Sequence, residues 1–124
     1  GSAFSTYEKF MAWYSDVFRQ CVRRLHKNRF LAVKVGEIRD ERGVYRNFVG
    51  DNVKCFTDLG LHYYNEIILV TAIGSLPIRV GKQFMSNRKI GKTHQQCLVF
   101  YKGDPTKIKE TFSASAISQQ DTSS

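Results

Sequence analysis

Residues 61–72 read LHYYNEIILVTA, and the run IILV inside them is the strongest strand signal in the chain. It is continuous and apolar rather than alternating, the pattern of a strand covered on both faces. Gly60 stands just before it and suits the left-handed residue that closes a helix. Upstream, Phe48, Val49, Val53, Phe56 and Leu59 make an apolar face at roughly helical spacing. A helix is expected to about Leu59, capped by Asn47 or Asp51. His62 reads as a polar residue at a strand start, since no second ligand stands at metal-binding spacing.

Downstream, residues 74–94 (GSLPIRVGKQFMSNRKIGKTH) hold five cations, three glycines and no acidic residue. They read as a long basic loop, and long loops in compact domains are often functional. Residues 95–102 (QQCLVFYK) form a last strand, ended by Gly103-Asp104-Pro105. With no helix between them, the last two strands are expected to pair antiparallel. The tail from Thr106, rich in Ser and Gln, buries little and is expected to fray.

Working back toward the start, residues 30–35 (FLAVKV) read as a buried parallel strand ended by Gly36-Glu37. A charged loop follows over residues 38–46, with Arg42-Gly43 as its tight turn. Ser5-Thr6-Tyr7-Glu8 matches a capping box, with Ser5 as the cap. Phe10, Tyr14, Val17, Phe18, Cys21, Val22 and Leu25 then recur on one helical face, and Asn28 is a helix stop. Arg19, Arg23, Arg24 and Lys27 complement the dipole in the last turns. Trp13, beside the stripe, is expected to be partly buried.

The order is helix–strand–helix–strand–loop–strand, an α/β layer structure with a mixed sheet. The first two strands, joined through a helix, should run parallel with a right-handed crossover. Sites in such sheets lie beyond the carboxyl ends of the strands. Both polar loops should therefore share one sheet edge, with Arg39, Arg42 and Arg46 beside Arg79, Lys82, Arg88, Lys89 and Lys92.

The chain has 124 residues, a formal net charge of +8, 42% hydrophobic and 13% aromatic residues, and a pI near 9.6. That length holds one domain or part of one, with enough apolar content for a core. The positive surplus suits a polyanion, nucleic acid before an anionic membrane surface. No apolar run approaches the ~20 residues that span a bilayer. No signal-peptide pattern opens the chain, and Gly1-Ser2 looks like a cloning scar. Cys21, Cys55 and Cys97 are scattered among apolar residues, without C-x-x-C. They read as small buried hydrophobes in a reducing, cytoplasmic setting, with no metal site.

Three stretches carry a resemblance: FLAVKVGEIRDERGVYRNFVGD, LGLHYYNEIILVTAIGSLPIRVGKQF and RKIGKTHQQCLVFYKGDP. Over residues 7–105 the chain resembles the C-terminal half of a family of phage and bacterial DNA methylases, amino-methyltransferases acting on adenine or cytosine. The resemblance implies a partial Rossmann-like methyltransferase sheet, the last three strands of seven, closed by an antiparallel hairpin. It divides the chain into residues 3–105, the methyltransferase-like part, and a polar tail, 106–124. It implies S-adenosylmethionine as cofactor of the complete enzyme, DNA as partner, and the cytoplasm of a bacterial or phage-infected cell.

The chain departs from that family in two places. The family grips a flipped base with Asp/Asn-Pro-Pro-Tyr/Phe/Trp, whereas Pro77 and Pro105 stand alone here. Gly-x-Gly, expected at the cofactor turn, is absent. The chain thus reads as a piece missing the N-terminal half, inactive and without cofactor by itself. A noncatalytic nucleic-acid-binding module and an assembly domain are the alternatives. Removal of earlier strands would bare the edge of residues 30–35 and invite a homodimer there.

Arg39, Arg46, Arg79, Lys82, Arg88, Lys89 and Lys92 are the DNA-contact candidates, because cations that neutralise phosphates release counterions. Phe84 could stack on a base or tuck the loop onto the core. His94 suits a structural hydrogen bond. Glu37 and Asp40 are expected to pair with Arg39 and Arg42 rather than act as an acid–base couple. No catalytic or metal-ligating residue is assigned.

Overall fold

A computed structural model describes residues 6–70, 76–90 and 94–113, the stretch 76–80 by its backbone. Helix α1 (Tyr7–Arg24) opens at Thr6, whose hydroxyl accepts the Lys9 amide at 3.2 Å. The cap thus falls one residue after the expected Ser5, which lies outside the described residues. Tyr14, Phe18 and Val22 take the core side of α1. Trp13 is 59% exposed and its ring meets Phe10 at 6.0 Å, so the expected partial burial is not found. Its position turns it off the buried stripe. Cys21 is likewise exposed, while Cys97 is half-buried and Cys55 buried. That burial pushes the Cys55 thiol pKa up.

Helix α1 ends four residues before Asn28. Its last carbonyls are satisfied from across the fold: Lys102 Nζ donates to Val22 O and Leu25 O at 2.6 Å each. Asn28 instead starts strand β1 (Arg29–Val35), in the left-handed region at φ 64°. Asparagine tolerates that conformation better than most residues. Its amide donates to Lys102 O at 2.6 Å.

Helix α2 (Phe48–Asp58) ends where expected, with Gly60 at φ 95°. The Gly60 amide donates to Thr57 O and the Leu61 amide to Phe56 O, a Schellman closure. Strand β2 (His62–Val70) follows, then helix α3 (Leu76–Asn87) and strand β3 (His94–Lys102). Helix α3 corrects the expected loop. Pro77 falls in its first turn, where no intrahelical amide bond is lost.

The sheet order is β1-β3-β2, and β3 pairs antiparallel with both neighbours. The two edge strands therefore run parallel to each other, as strands joined through a helix should, but β3 is inserted between them. The expected mixed sheet becomes an antiparallel one. The central place goes to the strand carrying Leu98, Phe100 and Tyr101, all 0% exposed. Strand β2, expected to be covered on both faces, is exposed at all nine residues because it lies at the edge. Strand β1 is the other edge, and of its residues only Val35 is buried.

Side chains alternate between sheet faces. Phe100 looks to the helices: its ring meets Phe56 at 4.9 Å, and Phe56 meets Phe18 at 5.1 Å. Burying each such ring contributes about 1.5–3 kcal/mol. Asn52, also 0% exposed, ties α2 to α1. It accepts from the Tyr14 hydroxyl and donates to Phe48 O at 2.9 Å. Tyr101 looks the other way, against Phe30 at 4.8 Å. After β3 a 3-10 turn (Pro105–Lys107), capped by Asp104, runs into the short helix α4 (Ile108–Thr111). The tail expected from Thr106 thus begins as a helical turn, and Phe112 lays its ring 5.6 Å from Phe30.

Candidate nucleic-acid interface

The segment after β1 folds back on itself. The Arg46 amide donates to Ile38 O, the Asp40 amide to Val44 O and the Gly43 amide to Asp40 O. Gly43 at φ 87° makes the tight turn read at Arg42-Gly43. The Asp40 carboxylate accepts the amides of Val44 and Arg42, each at 2.9 Å, and pairs with the Arg42 guanidinium at 3.2 Å. The Val44 amide first, then Arg42, holds its pKa below the ordinary value. The expected Asp40–Arg42 pair is therefore present.

Glu37 does something else. Its carboxylate accepts the Phe48 amide at 2.7 Å and the Val49 amide at 3.3 Å. It caps α2 from eleven residues upstream instead of pairing with an arginine. Asn47, the expected cap, occupies the cap position at φ 61° and its side chain makes no cap bond. Because Glu37 occupies these amides, the N-terminus of α2 is not offered to an anion.

Arg39 donates to Gly43 O at 2.7 Å and lays its guanidinium 4.2 Å from the Tyr45 ring centroid. The two face each other across the turn in an isolated bridge. On the other side, Arg88 ends α3 at φ 63°. Its guanidinium donates to Phe84 O at 2.8 Å and Met85 O at 3.0 Å, and lies 5.3 Å from the Phe84 ring. A cation is favoured at that helix end. Lys89 follows, its stem against Gly43: a Cβ built there would stand 3.4 Å from Lys89 Cε.

Turn and helix end enclose a hollow of about 510 Å³. Arg39, Arg42, Arg88 and Lys89 line it with a single carboxylate, Glu41. A second hollow of about 420 Å³ shares Arg39, Tyr45, Lys89 and Ile90 and continues to Gly36, Gln83, His94 and Gln95, with Glu37 as its carboxylate. Together they form one groove where β1 ends and β3 begins. A third hollow, of about 470 Å³ between α1 and α2, is rimmed by Glu8, Asp51 and Asp58 with Lys54. Its sign is wrong for phosphate.

Of the expected contacts, Arg39, Arg88 and Lys89 meet in the groove. Arg46 turns away, its guanidinium 5.1 Å from the Tyr7 ring. There the Tyr7 hydroxyl donates to Asp51 at 2.8 Å, and burial, then Asp51, raises its pKa. Lys82 and Phe84 are exposed on α3 and line neither hollow. Phe84, 43% exposed, carries Arg88 on its ring. Arg79 stands on α3; its side chain and Lys92 lie outside the described residues. His94 opens β3 and lines the second hollow. Sequence reasoning missed Tyr45, Asn87 and Ile90. Tyr45 was readable in principle, because residues flanking a tight turn face each other and its partner there is Arg39.

Among the described residues, no cluster of His, Cys, Asp and Glu could hold a metal. No described helix is long and apolar enough to cross a membrane.

These elements define an α/β unit: an antiparallel sheet, helices against its Phe100 face, and a basic groove at the strand ends. It is similar to the crystal structure of a candidate DNA modification methylase from Thermus thermophilus, with a TM-score of 0.62 and 20% sequence identity. The match covers 82% of this chain and 40% of that one. At that identity the likeness is one of fold, and the fold is methylase-like. The chain matches no protein-family model and no curated protein.

Proposed function

We propose that this chain is the C-terminal portion of a DNA amino-methyltransferase, over residues 3–105, and that its basic groove lies against DNA. One observation carries the reading. The 38–46 turn and the end of α3 bring Arg39, Arg42, Arg88 and Lys89 around one hollow holding a single carboxylate. Cations so gathered take up phosphates and displace counterions. The remaining strands of the sheet would attach at the free edge of β1. The setting is the cytoplasm of a bacterial or phage-infected cell.

S-adenosylmethionine, the methyl donor of such an enzyme, does not fit the groove. The four cations would oppose its sulfonium, and Glu37 already takes the first amides of α2. Donor and target amino group belong to the half not in this sequence, so this chain positions DNA and transfers no methyl group by itself.

The test is fluorescence anisotropy with labelled duplex DNA over a salt series. Binding should weaken steeply with salt, and the double variant Arg88→Ala/Lys89→Ala should shallow the log–log slope by about 0.9 for each phosphate it no longer neutralises. No binding even at low salt would overturn the DNA contact. Incorporation of radiolabelled methyl by the chain alone would overturn its inactivity. A noncatalytic DNA-binding module on the same fold is the second reading, favoured by a core of Phe56, Leu98 and Phe100 that closes within the chain. It requires submicromolar binding without the other half.

A further inference from the structure

We propose that the outer edge of β2 pairs with β2 of a second copy of this chain, giving a closed two-fold dimer with one continuous sheet. The edge is apolar on both faces. Cα partners on β3 put Ile67 and Leu69 on one face and Ile68 and Val70 on the other. Ile67 is 50% exposed, Ile68 47%, Leu69 41% and Val70 78%. A long apolar edge strand left open is a template for another strand.

Charge selects the occupant. The chain carries +8 overall, so two copies repel over most approaches. Strand β2 (HYYNEIILV) contains no Lys, Arg or Pro. Its one carboxylate, Glu66, already accepts from Gln96 at 3.0 Å and from the Tyr63 hydroxyl at 3.2 Å. The other edge, β1, carries Arg29 and Lys34, the cations that commonly guard edges. Two copies meeting through β2 set no cation against a cation. Two meeting through β1 bring those residues together. The favoured edge is thus not the one that sequence reasoning chose.

The register follows from the same residues. A bulge between Tyr63 and Asn65 breaks the ladder near the start of β2, leaving residues 65–70 in regular register, and Ile68 is the centre of their last five. A two-fold axis at Ile68 sets Ile68 against itself, Ile67 against Leu69 and Glu66 against Val70. The two Glu66 side chains then stand four positions apart, about 13 Å at a strand's rise and beyond the Debye length of about 8 Å at physiological salt. Each copy keeps its guarded β1 edge, so assembly stops at two.

The test is sedimentation equilibrium on the full chain over a wide concentration range. Twice the 14.3 kDa chain mass is the expected limit. Ile68→Lys, at a half-exposed position, should be monomeric, and Ala32→Lys on β1 should leave the dimer intact. Hydrogen exchange on the unaltered chain tests the edge without a variant: amide protection at residues 66–70 should rise with concentration, and at residues 29–35 it should not. A monomer at every concentration, unlimited growth, or protection rising along β1 instead would each overturn the proposal. None of these depends on DNA.

Discussion

Glu37 holds the start of α2 with one carboxylate on two amides, 2.7 Å and 3.3 Å away. Replacing a cap of this kind costs about 1–2 kcal/mol. Glu37→Ala should lower the unfolding free energy by that amount, read as a lower urea midpoint with an unchanged slope of the transition, and Glu37→Gln, which keeps an acceptor oxygen, should recover part of it. Asp40 answers to pH. Its folded pKa lies below 3.8, held there first by the Val44 amide and then by Arg42. A depressed carboxylate pKa means its contribution is complete above the unfolded value and is lost as pH falls through the lower folded one. Carbon-detected titration of the Asp40 carboxyl should therefore give a midpoint under 3.8, and Arg42→Ala should move it upward only in part, because the Val44 amide remains. A midpoint at the ordinary value would refute the turn geometry.

Among the elements, α3 marks the limit of what the residues told. The three glycines of residues 74–94 supported a loop there, yet only Gly81 falls inside α3, and Pro77 sits in the first turn, where a helix tolerates it. A Cβ at Gly81 would meet nothing within 4 Å. Gly81→Ala should then stabilise the protein by about 0.5–1 kcal/mol in thermal or urea unfolding. A loop in that place would show no such gain. Strand β2 failed differently. IILV says what those side chains would favour as neighbours, not whether neighbours exist, and the insertion of β3 left them at an edge. Such an insertion is a long-range choice that no local pattern carries. What was local was legible: the α1 stripe, the Gly60 closure and the Arg42-Gly43 turn; the order of the elements added the direction of the strands and, through the shared sheet edge, the meeting of Arg39 with Arg88 and Lys89. Glu37 and Lys102 were not, because each acts on a helix distant from its own segment.

At the scale of the whole molecule, the charge of the groove outweighs its details. Four cations line the first hollow and Glu41 is the one acid among them. Glu41 makes no phosphate contact, so removing its charge should change affinity only through the field. A unit charge about 8 Å from a phosphate contributes about 0.5 kcal/mol in water, or about twofold in affinity. Glu41→Gln should accordingly bind duplex DNA about twofold tighter at low salt, and the gain should fade as the Debye length shrinks to about 3 Å near 1 M. The slope of log affinity against log salt should barely move, since no further phosphate is neutralised, whereas Arg88→Ala/Lys89→Ala should lower it. Parallel anisotropy titrations of the two variants separate a field effect from direct phosphate binding. An unchanged affinity for Glu41→Gln at low salt would place the DNA elsewhere than this groove.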